Sequence, residues 1–209
     1  MNPEKLQYNK FYHIYSHGVG YRNVFKESEN YAFFLAIYEK YIEPIAQTFA
    51  WVLMPNHVHF VVKVKTEEEV ASFISDSVPN AVRDKSEKSL KIGTPSQQFA
   101  KLFNAYAQAY NKWTSSRGPL FERPFKRKQV DNRYYLKKLV LYVHNNPVIH
   151  GFCSHPLEYP WSSYLSCISI KPTKLKRKEV VGWFDSEANF KTEHGEKMNF
   201  KDLEDWLGI

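Results

Sequence analysis

The sequence predicts an α+β fold: a mainly antiparallel sheet of the ferredoxin-like kind, with helices packed on it. Three features carry that expectation. Runs of β formers alternate with amphipathic stretches in the order strand, helix, strand, strand, helix, strand, helix. Residues 49–65 read as a hairpin, because Pro55-Asn56 separates two strand-like runs. The 209 residues, 43% hydrophobic and 24% charged, suffice for one packed core.

Each element has its own signal. Residues 11–17 (FYHIYSH) are rich in β formers and stop at Gly18. Over 28–46, Tyr31, Phe34, Leu35, Tyr38 and Ile42 share a helical stripe, with Ser28 the expected N-cap. Residues 48–54 read as a strand. In 57–65 the period of two sends Val58, Phe60, Val62 and Val64 to one face, and His57, His59, Val61, Lys63 and Lys65 to the other. Glu67 to Glu69 suit the first turn of a short helix beginning near Thr66. Residues 76–95 read as a mobile loop. Ser96 is the expected cap of a long helix with Phe99, Leu102, Phe103, Tyr106 and Tyr110 on one stripe, broken at Gly118-Pro119. Residues 120–130 read as an edge strand, since Pro124 has no N–H for a ladder. A third helix, about 132–145, sets Tyr135, Leu139, Tyr142 and Asn146 on one face. Pro147 is expected to force Asn146 out of helical geometry and end it. After Gly151 the chain is irregular, then basic, then amphipathic through Phe200, Leu203, Trp206 and Leu207.

The charge is unevenly spread. Lys and Arg number 29 against 22 Asp and Glu, a net +7 with pI near 9.2. Residues 112–138 hold nine Lys/Arg against Glu122 and Asp131, so this one stretch carries the whole surplus. With 16% aromatic residues, that points to a polyanion, and to single-stranded nucleic acid in particular. A second basic cluster runs through Lys171, Lys174, Lys176, Arg177 and Lys178. No apolar run reaches the roughly 18 residues of a membrane span, and the N-terminus has no apolar block of a secretory signal. Two cysteines, Cys153 and Cys167, without a CxxC, fit a reducing cytoplasm. HExxH, P-loop, GxSxG and GxGxxG motifs are all missing, so zinc proteases, NTPases, serine esterases and dinucleotide enzymes have no motif support.

His57 and His59, two apart on a predicted strand, present both imidazoles on one face and can share a divalent cation. Two ligands are too few for a catalytic metal, so a third must come from elsewhere. Asn146, at the expected helix end, can offer an amide oxygen, with Tyr142 one turn earlier on the same face. A metal held this way can polarise a phosphate, and a tyrosine beside it can attack. Tyr142 as a plain core residue and Asn146 as a plain cap stay open. So does a hydrolytic nuclease built on His144 and His150. His13 and His17 share a strand face without adjacency.

The segments WVLMPNHVHF (51–60) and YVHNNPVIHG (142–151) together resemble the single-tyrosine HUH transposases, and most nearly the REP-associated tyrosine transposases and their insertion-sequence relatives. The linking segment GPLFERPFKRKQV (118–130) resembles the same branch, and the resemblance spans about 8–165. It implies the HUH fold with four to five strands. It implies His57 and His59 as metal ligands, Asn146 as the third, and Tyr142 as the nucleophile. It implies Mg²⁺ or Mn²⁺, and cleavage and strand transfer of single-stranded DNA at hairpin elements through a 5′-phosphotyrosine link. The basic residues expected on DNA are Arg117, Arg123, Lys126, Arg127, Lys128, Lys137 and Lys138. Residues 1–150 are then the catalytic domain, and 151–209 an extension packed on it or flexibly attached. The expected setting is cytoplasmic and nucleoid-associated, away from membranes; relatives include homodimers and monomers. The competing expectation is a non-catalytic binder of structured nucleic acid, a domesticated transposase.

Overall fold

A computed structural model describes residues 5–77, 93–196 and 199–208. The expected loop at 76–95 lies mostly outside them. Four strands form one sheet: β1 (Phe11–His17), β2 (Ala46–Met54), β3 (His57–Val64) and β4 (Lys126–Gln129). Their order is β2-β3-β1-β4 and every pairing is antiparallel. The α+β, ferredoxin-like expectation is met. β2 and β3 form the hairpin about Pro55-Asn56, and a register irregularity between Thr48 and Ala50 bends β2.

The sheet is covered on both faces. Tyr12 and Ile14 of β1 and Val58, Phe60, Val62 and Val64 of β3 enter one core, under α1 (Ser28–Ile42) and α3 (Pro95–Trp113). Between these helices the chain forms the short α2 (Glu67–Ser77). The other face carries Val52, Met54 and Val61. It packs on α4 (Arg133–Ile149) and on residues from α5 (Tyr164–Ile168), α6 (Arg177–Gly182), α7 (Glu187–Gly195) and α8 (Lys201–Leu207). Residues beyond 151 therefore help to build the second core, through Tyr164, Phe184, Phe190 and Leu203. No helix among the described residues is long and apolar enough to cross a membrane.

Local chemistry moves three boundaries from those expected. The cap of α1 is Glu27, which shares a capping box with Asn30, so Ser28 is the first helical residue. Helix α3 is capped by Thr94, not Ser96: Thr94 Oγ1 accepts from Gln97 N, and Gln97 Oε1 accepts from Thr94 N. Pro95 fills the first position, where no N–H partner is needed. Ser96 is left to accept from Leu6 N. The third change concerns Pro147, which lies inside α4 and does not end it. So near the C-terminus it forfeits one helical bond, and the ladder resumes with His150 N donating to Asn146 O at 3.0 Å.

The second core makes a quantitative prediction. Phe190 is fully buried against Tyr164, Phe184, His144 and His194. Phe190→Ala should cost about 3–5 kcal/mol in denaturant unfolding. Ile170→Ala, at a residue 97% exposed, should change stability by less than about 0.5 kcal/mol.

Candidate metal and nucleophile site

His57 opens β3 and His59 follows on the same face of the sheet. Helix α4 lies over that face, and the 3.6-residue period turns Tyr142 and Asn146 of α4 toward the histidines. His57 Nε2 and Asn146 Oδ1 are 2.8 Å apart. The Tyr142 ring meets the His59 ring edge-on at 5.6 Å. The four residues named by the two sequence motifs thus stand at one spot.

Burial sets the charge states there. It lowers His57 to about 4 and holds His59 well below the usual imidazole range, and the neighbouring histidines push both the same way. Both imidazoles are neutral at physiological pH and keep a lone pair. Tyr142 is 6% exposed. Burial pushes its hydroxyl up to about 12; Glu204 of α8 adds to this and Asn146 opposes it.

The hydrogen bonding around His57 is unbalanced. Nδ1 is 2.7 Å from Asn56 Oδ1, while Nε2 faces Asn146 Oδ1. A neutral imidazole has one N–H and can donate to only one of them. Donation to Asn56 turns the Nε2 lone pair on the Asn146 oxygen, and Asn146 Nδ2 is buried without a partner. Turning the amide round strands its oxygen instead. A divalent cation would satisfy both lone pairs, so these residues fit a metal. Among the described residues no group of three or more His, Cys, Asp or Glu is arranged for one; the candidate set is two imidazoles and an amide.

Three more histidines surround the site. His17 pairs with His57 across β1 and β3, with rings 5.0 Å apart. His150, just past α4, is 5.2 Å from His57. His13 Nε2 is 2.8 Å from His59 Nδ1. His144 belongs elsewhere. It is fully buried, bonded through Nδ1 to His194 (2.9 Å) and through Nε2 to Ser163 Oγ (2.7 Å). The period-two pattern of β1 hinted at His13 and His17, but its register against β3 is not written in local sequence. Nothing in local sequence tied Asn56 or Glu204 to this site, nor Phe200, whose ring meets Tyr142 edge-on at 5.5 Å.

The basic residues divide by face. Register with Tyr15 and His13 puts Lys126 and Lys128 of β4 on the side of the site. Arg127 alternates to the other face, with its guanidinium 3.9 Å from the Phe125 ring centre. Arg117 is exposed, and Arg123 donates to Asn104 Oδ1 at 2.6 Å. Lys137 is paired with Glu193 at 2.6 Å, and Lys138 lies 4.0 Å from Asp202, so both sit against the C-terminal helices.

No protein-family model matches the chain, and no curated protein matches it. The fold does match a solved structure, that of a REP-associated tyrosine transposase bound to a REP hairpin, with TM-score 0.58 and 15% identity. The match covers 82% of this chain and 89% of that one. A bacterial tRNA(His) guanylyltransferase-like protein in complex with ATP matches at TM-score 0.37 and 12% identity, over 98% of this chain and 77% of that one, too loosely to support a conclusion.

The buried histidines imply acid lability. Burial lowers His13 to about 3 and His57 and His194 to about 4, so the native state stays neutral where the unfolded chain takes up protons. Stability should be complete above about pH 6.5 and fall below it, by on the order of 1 kcal/mol per buried histidine per pH unit. Thermal unfolding should show a clearly lower Tm at pH 5 than at pH 7, and His194→Gln should flatten that dependence. A Tm that ignores pH across this range contradicts neutral burial.

Proposed function

We propose that this chain is a metal-dependent DNA strand transferase that cuts and rejoins single-stranded or hairpin DNA through Tyr142. The observation that carries the reading is the meeting of His57, His59, Asn146 and Tyr142 at one place, from segments about 85 residues apart in sequence. The fold match to a transposase solved with a hairpin supports it. Residues 1–150 are read as the catalytic domain, with 151–209 completing its second core.

His57, His59 and Asn146 would hold the cation. Asn56 orients the His57 ring through Nδ1. When bound, the cation acts as Lewis acid toward a phosphate oxygen and stabilises charge near the tyrosine. Tyr142 Oη attacks phosphorus and loses its proton. The P–O3′ bond breaks, and the leaving oxygen is protonated to a free 3′-hydroxyl. The product is a 5′-phosphotyrosine ester, whose reversal by another 3′-hydroxyl rejoins DNA without a nucleotide cofactor. Burial opposes ionisation of Tyr142, an effect that a cation held by His57, His59 and Asn146 would offset. The amide oxygen suits Mg²⁺ or Mn²⁺, and the two imidazoles favour Mn²⁺. Lys126 and Lys128, which share a face of the sheet with Tyr15 and His13, are read as the contacts to backbone phosphates. Acting on chromosomal DNA fits a cytoplasmic, nucleoid-associated protein.

Labelled single-stranded hairpin DNAs, Mn²⁺ and a denaturing gel test this directly. The chain should form a covalent protein–DNA band that EDTA prevents. Tyr142→Phe should reduce the band by at least about 100-fold while leaving DNA binding within a few-fold. An undiminished adduct with Tyr142→Phe excludes Tyr142 as the nucleophile. Salt-sensitive binding with no adduct on any hairpin favours a non-catalytic binder. Lys126→Ala and Lys128→Ala should each lower the slope of log K against log salt by about 1.

A further inference from the structure

His13 takes no part in the chemistry above, yet no polar side chain beside the site is more enclosed. It sits on β1, diagonal to His59: Tyr15 is the residue paired with His59, and His13 lies two positions along on the same face. The His13 and His59 rings are nearly parallel, with 7° between their planes and 5.0 Å between centres. His13 Nε2 and His59 Nδ1 are 2.8 Å apart. His13 is fully buried, and its other nitrogen, Nδ1, has no hydrogen-bond partner. Packing alone does not favour such a ring, since an unpaired buried polar atom costs free energy that a phenylalanine would avoid.

We propose that His13 is a positioning residue for the metal site, its Nε2 accepting a hydrogen bond from His59 Nδ1–H so that the His59 Nε2 lone pair is free for the cation. The inference rests on the metal reading given above. An imidazole binds metal through a nitrogen that carries no proton. Nδ1 of His59 is committed to His13, so Nε2 is the nitrogen left for a ligand role. Nδ1 then holds the ring proton and needs an acceptor, and His13 Nε2 is placed to be one. A carboxylate, a backbone carbonyl or a water commonly does this for a metal-bound histidine. Here a second imidazole does it, and Tyr15 stacks on both rings, at 4.8 Å from His13 and 5.7 Å from His59, keeping them parallel. The unpaired atom becomes His13 Nδ1–H, the mark of a ring retained for its acceptor nitrogen.

Mn²⁺ affinity of the purified full chain, read by calorimetry or by loss of the free-ion paramagnetic signal, is the test. His59→Ala should abolish binding. His13→Phe keeps a ring of similar volume without the acceptor and should weaken binding about 10–100-fold. His13→Gln, whose amide oxygen can reach the place of Nε2, should restore it to within a few-fold of the parent. His194→Gln alters an equally buried histidine away from the site and should leave Mn²⁺ affinity unchanged. If His13→Phe does not fold, His13→Asn, too short to reach His59, should show the same weakening. No Mn²⁺ binding by the parent chain overturns the metal reading itself. Binding by the parent, loss in His59→Ala and full affinity in His13→Phe overturns only the role of His13. Equal weakening in His13→Phe and His194→Gln also overturns that role, because it marks general loosening.

Discussion

Everything at the site depends on the register between β1 and β3. Tyr15 lies opposite His59 and His17 opposite His57, and this alignment brings His13 within reach of His59. A slip of one residue would turn His13, Tyr15 and His17 to the far face and bring Tyr12 and Ile14 into the site. The register is held from behind. Tyr12, Ile14, Val58, Phe60 and Val62 are all fully buried in the core under α1 and α3. Removing one such aliphatic or aromatic side chain from water contributes roughly 1.5–3 kcal/mol. An apolar set on one face of two strands thus aligns the polar set on the other.

Burial then decides what those polar groups can do. The enclosure that keeps His57 and His59 neutral keeps their lone pairs available. The same enclosure opposes ionisation of Tyr142. A low-dielectric setting strengthens any charge placed in it, so one divalent ion there changes the balance for the tyrosine more than it would at an exposed surface. On the proposed reading, a bound cation and Tyr142 would be coupled by the dryness of the site as well as by proximity.

The strands and the three long helices were legible because each rests on local pattern, whereas the grouping of His57, His59, Tyr142 and Asn146 came from the family resemblance. The alternation in 57–65 placed His57 and His59 on one face, and the stripe through Leu139, Tyr142 and Asn146 placed the last two together. What escaped was set by contacts distant in sequence or by competition between caps. Thr94 with Pro95 and Gln97 outcompeted Ser96 as a cap. Pro147 was read as a stop because its missing N–H was weighed without its position, where a helix has few bonds left to lose. His13 and Asn56 escaped because a single sequence contains no register and no loop geometry. The tail after 166 resembled nothing by motif, yet Phe184, Phe190 and Leu203 share a core with Val140 and Val143 of α4.

That shared core has a directional thread. Trp51 N–H donates to Ser163 Oγ, and the Ser163 hydroxyl donates to His144 Nε2. His144 Nδ1–H donates to His194 Nε2, and His194 Nδ1–H ends on Phe190 O. Each link has one donor and one acceptor, and His144 stands two residues before Asn146 on α4. A fragment cut after residue 150 would lose Ser163, His194 and the aromatic packing together. His144 would be left with water for both its neighbours, and α4 would lose the back wall against which Tyr142 and Asn146 are held. The extension therefore works as the rear wall of the socket in which α4 is packed, so the chain before residue 151 carries one half of a core whose other half lies beyond it.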